Sequence, residues 1–210
     1  MKRFLDVLLS LLAIIFLSPL MLIISLIIIC DDGLPVIFRQ NRVGKGDELF
    51  KIKKFRTMKN GAPNLSTADF EQSDEFITRS GKFLRRTSLD ELPQLFNVLT
   101  GDMSFIGPRP LLVSYLPYYT ETEALRHTVR PGLTGLAQVS GRNFLDWDRR
   151  LAKDVEYVKG LSFQMDLKVL FLTVKVVFDR SDVAEDTSQA EGNFARIRQE
   201  RLDRTGRLEA

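Results

Sequence analysis

The feature that most constrains the fold is an uninterrupted apolar segment near the N-terminus. Between Val7 and Cys30 there are 24 consecutive residues without a charge, and 17 of them are Leu, Ile, Val or Phe. As an α-helix this segment would be about 36 Å long, and the hydrocarbon core of a bilayer is about 30 Å thick. The mean hydropathy of the whole chain, -0.06, hides the segment because the remaining residues are polar. We therefore expect residues 7–30 to lie in a membrane.

A proline at the centre of this segment bears on how it enters the membrane. Pro19 removes one backbone hydrogen bond and presses on the preceding turn, so we expect two helices separated by a break at Ser18 and Pro19. The Ser18 hydroxyl can satisfy part of the freed backbone. Basic residues flank the segment on both sides: Lys2 and Arg3 precede it, and eight Lys or Arg against two acids lie within residues 33–60. By the positive-inside rule both ends are cytoplasmic, which favours a re-entrant hairpin.

The apolar segment has three alternative interpretations: a spanning helix, a simple anchor and a cleaved signal peptide. A spanning helix and a simple anchor with no functional role stay open on the residues alone. A cleaved signal peptide fits poorly, because the apolar core is longer than the 7–15 residues that such peptides use. In addition, Cys30, Asp31 and Asp32 occupy the place where small residues would mark a cleavage site.

The rest of the chain shows alternating short structural patterns. Strands are predicted over 36–38 and 49–55, an extended segment over 136–139, and helices over 89–99, 111–126, 146–158 and 163–178. The polar stretch 59–80 is predicted to be a long, mobile loop. The helix 163–178 carries a wide apolar stripe that favours burial in the core, with a membrane interface as the alternative. We expect three regions: a membrane hairpin at 1–32, a catalytic domain at 33–180 and a solvated charged tail at 181–210.

Composition excludes several kinds of chemistry. One cysteine excludes a disulfide framework, and one histidine, His127, excludes a zinc site built from Cys and His. Thirty basic against 27 acidic residues is too even a balance for a protein whose main partner is nucleic acid. Neither a P-loop nor a G-x-G-x-x-G motif is present. Any chemistry is therefore expected to depend on carboxylates, arginines and a metal ion.

An acidic pair in the middle of the chain is the strongest candidate site. Asp90 and Glu91 lie between Arg85 and Pro93. Because proline is favoured at the first position of a helix, the two acids are expected just ahead of that helix. Ser88 and Glu91 also fit a capping box, which would make the acids structural. Alternatively, adjacent carboxylates beside an arginine and a helix N-terminus would suit Mg²⁺ and phosphate. Local chemistry leaves both interpretations open.

Two further regions combine arginine with glycine or proline. Arg109 lies between Pro108 and Pro110, and Arg142 lies in a glycine-containing loop that follows residues 130–135. Glycines in such loops allow backbone N–H groups to approach an anion. Together these segments indicate an anionic ligand.

Five motifs in order carry a resemblance to a known family. They are K-F-R-T-M (54–58), S-L-D-E-L-P-Q-L-F-N-V (88–98), G-D-M-S-F-I-G-P-R-P (101–110), R-P-G-L-T-G (130–135) and Q-V-S-G-R-N (138–143). The chain resembles the bacterial sugar transferases, the monotopic phosphoglycosyl transferase family, from Lys2 to about residue 178. A K-R-x-x-D motif (Lys2, Arg3, Asp6) and the Ser18–Pro19 break also match. The short length and the segments 115–117 and 126–131 resemble most closely the type that transfers N,N'-diacetylbacillosamine 1-phosphate.

The resemblance implies a fold and a reaction. The fold is α+β: a re-entrant helix-break-helix, then a small, mainly helical catalytic domain with short strands and interfacial amphipathic helices. The reaction transfers a sugar 1-phosphate from a UDP-sugar to undecaprenyl phosphate and releases UMP. The same chemistry with a hexose such as galactose or glucose is an alternative.

The resemblance also implies roles for particular residues. Asp90 is the nucleophile that becomes covalently bound to the phosphosugar, and Glu91, with Asp90, holds Mg²⁺. The residues assigned to substrate phosphates are Arg85, Arg109, Arg142 and Lys54. Asp154 matches a recurring acid of the family and is assigned to substrate binding, although an exposed helix position would explain it equally well.

The partners implied are the UDP-sugar, undecaprenyl phosphate and membrane lipid, with no nucleic acid; a homodimer is compatible with the sequence. The location implied is the cytoplasmic face of the bacterial inner membrane, with a monotopic attachment. An interpretation from a different class is a membrane-anchored scaffold or regulator whose basic stretch 39–59 binds anionic lipid. That interpretation gives no role to Asp90 and Glu91.

Overall fold

The computed structural model describes residues 2–62, 73–141, 145–179, 187–205 and 208. The helices are α1 Lys2–Asp32, α2 Ser73–Phe76, α3 Arg79–Thr87, α4 Leu95–Thr100, α5 Glu121–Ala124, α6 Leu136–Val139, α7 Trp147–Lys159, α8 Phe163–Asp179 and α9 Thr187–Thr205. The strands are β1 Ile37–Val43, β2 Leu49–Phe55, β3 Ser104–Ile106 and β4 Gly132–Thr134. Short 3₁₀ segments occur at Lys45–Asp47, Leu89–Gln94, Val113–Tyr118 and Leu125–Thr128. The mainly helical α+β fold with a long apolar N-terminal helix is confirmed.

The N-terminal helix continues through its proline. The sequence predicted two helices separated at Pro19, whereas α1 is one helix of 31 residues with Pro19 inside it. Proline lacks the N–H that would bond to the carbonyl four residues earlier, which is that of Ile15. The Ser18 hydroxyl donates a hydrogen bond of 2.9 Å to this same carbonyl. The predicted role of Ser18 is therefore confirmed, and it compensates for part of what Pro19 removes.

The N-terminal end of α1 is attached to the body of the protein by polar contacts. Arg3 donates to the carbonyls of Val98 at 2.5 Å and Leu99 at 2.8 Å, in the last turn of α4. Asp6 is buried and accepts hydrogen bonds from the Ser104 hydroxyl and the Phe105 amide, each at 3.1 Å. The K-R-x-x-D motif thus docks the start of α1 on α4 and β3.

The C-terminal end of α1 packs on the same body. Ile24 and Ile28 are buried in a cluster with Phe55 of β2 and Leu84 of α3. Beyond them, Arg56 forms an ion pair of 2.9 Å with Asp32.

The middle of α1 is unlike its ends. Large apolar side chains such as Leu12, Ile15, Phe16 and Leu22 are exposed there, with Phe16 at 83%. Among the described residues, α1 is the helix that is long and apolar enough to cross a membrane. The apolar middle therefore has no protein partner within the described chain.

The strands form two small sheets of two strands each. β1 and β2 form the predicted antiparallel hairpin, with Ile37 opposite Phe55 and Val43 opposite Leu49. β1 is longer than predicted because β2 supplies hydrogen-bond partners for its polar residues as well as its apolar ones. β3 and β4 pair in parallel, so that residues 104–106 lie beside 132–134.

Two predicted elements are wrong. The stretch 136–139 was predicted to be extended but forms α6, because β4 ends at Thr134 and the chain turns at Gly135 into a helix that buries Leu136. The helix predicted over 111–126 is divided into a 3₁₀ segment, α5 and a second 3₁₀ segment. Pro117 lacks an N–H for a continuous helix, and Thr120 starts a new helix through a capping box with Glu123.

The predicted helix 163–178 is present as α8, but burial in the core was the wrong expectation. Val169 is fully buried, whereas five large side chains of the apolar stripe are exposed. The exposed side chains are those of Phe163, Leu167, Leu170, Phe171 and Val174. α8 therefore presents an apolar face to the outside of the described body.

The charged C-terminal region also departs from its prediction as solvated. It contains α9, in which Phe194 and Arg198 are fully buried. Within the long loop predicted at 59–80, residues 63–72 lie outside the described part of the chain, and residues 73–76 and 79 onward are helical.

Candidate active site

The acidic pair lies in a tight 3₁₀ segment rather than in a capped α-helix. α3 ends at Thr87, and Ser88 adopts a left-handed conformation with φ of 55° before the segment Leu89–Gln94. The Ser88 side chain makes no capping hydrogen bond, so the capping-box interpretation of Ser88 and Glu91 is wrong. The two carboxylates are therefore free for another role.

Glu91 is the centre of a cluster of opposite charges. Its Oε1 atom accepts hydrogen bonds from Lys54 Nζ and from Arg109 Nη2, each at 2.8 Å. Burial alone would raise the pKa of Glu91, but Arg109 and Lys54 outweigh it and hold that pKa well below its usual range. Glu91 is thus ionised and fixed in place by two cations.

Asp90 differs from its neighbour. Burial raises the pKa of Asp90; Lys54 opposes this effect, the charge of Glu91 adds to it, and Arg85 and Arg109 oppose it more weakly. Asp90 is consequently the more basic of the two carboxylates. Adjacent carboxyl groups whose environments push their pKa values apart are typical of sites where each has its own role.

The cations come from three elements that are separate in sequence. Lys54 lies on β2, Arg85 on α3, and Arg109 follows β3. Arg85 is oriented by the hydrogen bond that its Nε donates to the Thr57 hydroxyl at 2.9 Å. The structure therefore brings together five predicted site residues: Asp90, Glu91, Lys54, Arg85 and Arg109. Arg142 lies outside the described residues.

The glycines near Arg109 have a different role from the one predicted. A Cβ atom on Gly107 would lie 2.4 Å from the Arg130 carbonyl, and one on Gly132 would lie 2.2 Å from the Gly107 amide nitrogen. The amides of Gly107 and Gly132 already donate to the carbonyls of Thr134 and Pro108, each at 2.9 Å. These glycines allow two backbones to approach each other, rather than exposing N–H groups to an anion.

Asp154 is buried in an ion pair with Arg126. Its side chain is 3% exposed and accepts two hydrogen bonds from Arg126, at 2.9 and 3.1 Å. Burial raises the pKa of Asp154, and Arg126 opposes that shift. The alternative of an exposed helix residue is therefore wrong, whereas the assignment of Asp154 to substrate binding stays a prediction.

Arg126 is the functional candidate that the motifs missed. It is buried, and its Nη2 donates a hydrogen bond of 2.6 Å to the backbone carbonyl of Arg109. The Asp154–Arg126 pair thus supports the segment that carries Arg109. The Arg-Pro-Gly and Gly-Pro-Arg-Pro motifs predicted other arginines as site residues. The R-H-T-V segment, which is part of the family resemblance, was the signal that included Arg126.

We expect Asp154→Asn to destabilise the protein. Neutralising one partner leaves Arg126 buried and uncompensated, at a cost of about 3–5 kcal/mol in the free energy of unfolding. Urea titration of the detergent-solubilised protein, followed by the fluorescence of the buried Trp147, measures this loss. The matched control is Asp146→Asn, an exposed N-cap residue at which asparagine caps equally well. A loss below 1 kcal/mol for Asp154→Asn would contradict the account.

His127 is not suited to acid–base chemistry at neutral pH. Burial and the neighbouring charge of Arg126 lower the pKa of His127, Asp47 acts in the opposite direction, and the net result is a pKa of about 4. The ring is therefore neutral and lies 2.7 Å, Nδ1 to Oδ1, from Asp47. The carboxylates Asp90 and Glu91 therefore remain the candidates for the chemistry of the site.

The acidic pair provides oxygen donors of the kind that Mg²⁺ binds. The described residues contain no group of three or more His, Cys, Asp or Glu side chains that could form a metal site. Mg²⁺ commonly binds one or two carboxylates, with the remaining positions filled by substrate phosphates and water. Asp90 and Glu91 match that oxygen donor set once a diphosphate is bound.

Comparison with known proteins agrees with the motifs. The family described as bacterial sugar transferase matches residues 1–180. An uncharacterized sugar transferase of Bacillus subtilis, EpsL, is 42% identical over 177 residues, which are 84% of this chain and 87% of that protein.

Two relatives with named activities are longer than this chain. A UDP-glucose:undecaprenyl-phosphate glucose-1-phosphate transferase of Klebsiella pneumoniae is 43% identical over 181 residues, covering 82% of this chain and 39% of that enzyme. An undecaprenyl-phosphate galactose phosphotransferase of Salmonella typhimurium is 40% identical over 195 residues, covering 86% of this chain and 41% of that enzyme. The chain therefore spans about two fifths of each named enzyme.

Proposed function

Because the chain belongs to the bacterial sugar transferase family, we propose that it transfers a sugar 1-phosphate from a UDP-sugar to undecaprenyl phosphate and releases UMP. The observation that carries this proposal is the acidic pair Asp90–Glu91 set among Lys54, Arg85 and Arg109. Such a cluster suits a reaction in which two anionic substrates must approach each other. The relatives that act on undecaprenyl phosphate add independent support.

The proposed mechanism has two displacement steps. A carboxylate oxygen of Asp90 attacks the phosphorus that bears the sugar, the bond to the UMP oxygen breaks, and UMP leaves. The phosphate oxygen of undecaprenyl phosphate then attacks the same phosphorus and releases the Asp90 carboxylate. Each step forms one P–O bond and breaks one. Because the donor reacts with Asp90 before the lipid phosphate attacks, the two anionic substrates do not have to react with each other directly.

The two carboxylates divide the work according to their surroundings. Asp90 is the more basic, which suits a nucleophile, whereas Glu91 is anchored by Lys54 and Arg109. When Mg²⁺ is bound, by Glu91 with Asp90, it neutralises charge on the diphosphate. Lys54, Arg85 and Arg109 bind and orient the phosphates.

The arrangement of α1 supports a location on one side of the membrane. A helix that crosses a bilayer places its ends on opposite sides of a core about 30 Å thick. Both ends of α1 contact one polar body, through Arg3 and Asp6 at the start and through Ile28 and Asp32 at the end. We propose a re-entrant α1, with the body on the cytoplasmic face where the positive-inside rule puts both flanks.

The exposed apolar surfaces complete the proposed membrane contact. The middle of α1 and the stripe of α8 both expose large apolar side chains. Such faces are stable when they lie in lipid. Their immersion would place the acidic pair near the headgroups, where the phosphate of the lipid acceptor lies.

This topology predicts the labelling of introduced cysteines. In a Cys30→Ser background, a cysteine placed just ahead of Lys2 should resist a membrane-impermeant maleimide in intact cells and react after lysis. The matched control is Glu156→Cys, at a half-exposed position on α7 of the body. Labelling of the N-terminal cysteine in intact cells, with Glu156→Cys protected, would contradict the re-entrant arrangement.

Two classes of sugar donor follow from different observations. The segments 115–117 and 126–131 resemble the N,N'-diacetylbacillosamine type, whereas named relatives use glucose or galactose. The decisive experiment is a panel of UDP-sugars, each added with undecaprenyl phosphate, with UMP release as the readout. Release with one donor supports the proposal and identifies the sugar. Lipid binding without UMP release from any donor would favour the scaffold or regulator instead.

A further inference from the structure

The C-terminal helix α9 lies outside the part of the chain that matches the family. That match ends at residue 180, and α9 begins at Thr187. Fourteen of the last 32 residues are charged, a composition typical of solvated segments. Nevertheless Phe194 and Arg198 have no exposed surface. Such burial indicates that α9 is part of the folded body.

The apolar attachment of α9 centres on one aromatic side chain, Phe194, in an aromatic cluster against which Ala195 and Ile197 also pack. The Phe194 ring lies 4.9 Å from that of Trp147, 5.0 Å from that of Tyr115 and 5.5 Å from that of Tyr119, measured between centroids. These distances are in the range of favourable aromatic contacts. Removing the Phe194 ring would open a cavity beside Tyr119.

The polar attachment of α9 includes three ion pairs, of which Arg198–Glu123 is buried. Arg198 donates hydrogen bonds to Glu123 and, at 2.9 Å, to Asp148. Arg201 reaches the other carboxylate oxygen of Asp148 at 2.7 Å. Glu123 is the residue that closes the capping box of α5, and the next segment, Leu125–Thr128, contains Arg126. Both attachments of α9 therefore lead to the surroundings of Arg126.

From Arg126 the contacts continue to the acidic pair. Arg126 Nη1 donates a hydrogen bond of 3.2 Å to the Tyr119 hydroxyl, while its Nη2 donates to the carbonyl of Arg109 at 2.6 Å. The Arg109 side chain in turn holds Glu91 at 2.8 Å. A continuous series of contacts thus joins α9 to the carboxylate proposed to hold the metal.

We propose that α9 is a positioning element for catalysis, which acts through Tyr119 and Arg126 to hold Arg109 against Glu91. This inference rests on the proposed function for its catalytic consequence. Phosphoryl transfer depends on cations placed accurately around the reacting phosphate, and a displacement of about 1 Å can lower the rate about 100-fold. The residues of α9 act through Tyr119 and Arg126, so they are positioning residues and not catalytic ones.

The structural part of the proposal is tested without any substrate. Hydrogen–deuterium exchange of the full chain in nanodiscs compares Phe194→Ala with Arg196→Ala, an α9 residue whose side chain is 73% exposed. We expect Phe194→Ala to accelerate exchange in peptides covering 105–112 and 120–130, with β1 and β2 unchanged. Equal exchange in these peptides for the two variants would overturn the proposal. If Phe194→Ala does not fold, Tyr119→Phe keeps the ring and removes only the hydroxyl that Arg126 contacts.

The catalytic part is tested by a double-mutant cycle with UMP release as the readout. Phe194→Ala should lower kcat/KM roughly tenfold in the natural chain, but less than threefold in an Arg109→Lys background, because the side chain that it positions is already altered. Arg196→Ala should have no effect in either background. An equal loss in both backgrounds would indicate general destabilisation and overturn the proposal. A natural chain that releases no UMP with any UDP-sugar would instead contradict the proposed function, and the exchange experiment would still decide whether α9 supports Arg109.

Discussion

Asp90→Asn is expected to reduce UMP release by at least about 10⁴-fold, because the amide cannot attack phosphorus and no neighbouring group can replace it. Asparagine has nearly the same shape, so Lys54, Glu91 and Arg85 should keep their positions. The measurement is UMP release with saturating UDP-sugar and undecaprenyl phosphate. The matched control is Asp146→Asn, the same chemical change at the exposed N-cap of α7, which should keep full activity.

The outcome for Asp90→Asn separates two mechanisms. A variant that kept activity within tenfold of the natural chain would show that the lipid phosphate attacks the donor directly. Asp90 would then be at most a metal ligand, and the division of roles between the two carboxylates would be wrong.

Glu91→Gln is expected to lower kcat/KM by about 10³-fold through two losses at once. The neutral amide is a poor ligand for Mg²⁺, and it no longer holds Lys54 and Arg109 by charge. Added Mg²⁺ should not restore the variant, whereas the natural chain should lose activity in EDTA and regain it with Mg²⁺. The matched control, Glu156→Gln, removes a half-exposed carboxylate that pairs with Lys153 at 2.7 Å, and it should behave like the natural chain.

Two results would contradict this account of Glu91. A loss smaller than threefold in Glu91→Gln would show that neither the metal nor the cation pair depends on this carboxylate. Full activity of the natural chain in EDTA would remove the Mg²⁺ assignment, while leaving the electrostatic role of Glu91 to be judged from the variant alone.

Local sequence patterns predicted those parts of the fold that depend on near neighbours. Local patterns predicted the strands of the β1–β2 hairpin and the helix α7, which Asp146 caps. The acidic pair was found because adjacent carboxylates beside Pro93 and Arg85 are an unusual combination. Its capping interpretation could be rejected only in the structure, where Ser88 is left-handed and makes no cap.

Long-range pairing is where the sequence predictions failed. Arg126 and Asp154 are separated by 28 positions, and each alone looks like a solvent-facing charge. The apolar stripe of α8 is compatible with a core or a membrane surface, because hydrophobic periodicity does not distinguish protein from lipid as the neighbour. In the charged C-terminal region, Phe194 and Ile197 are isolated apolar residues among charged ones, and so sparse a pattern is too weak to predict burial.

Intact-protein mass spectrometry tests most directly whether a phosphosugar becomes covalently bound to Asp90. The protein is incubated with UDP-sugar and Mg²⁺ in the absence of undecaprenyl phosphate. We predict a mass gain of one sugar phosphate, located in the tryptic peptide 87–126, that is lost when undecaprenyl phosphate is added and never forms in Asp90→Asn. A chain that releases UMP only when the lipid acceptor is present, with no mass gain beforehand, would contradict the covalent mechanism.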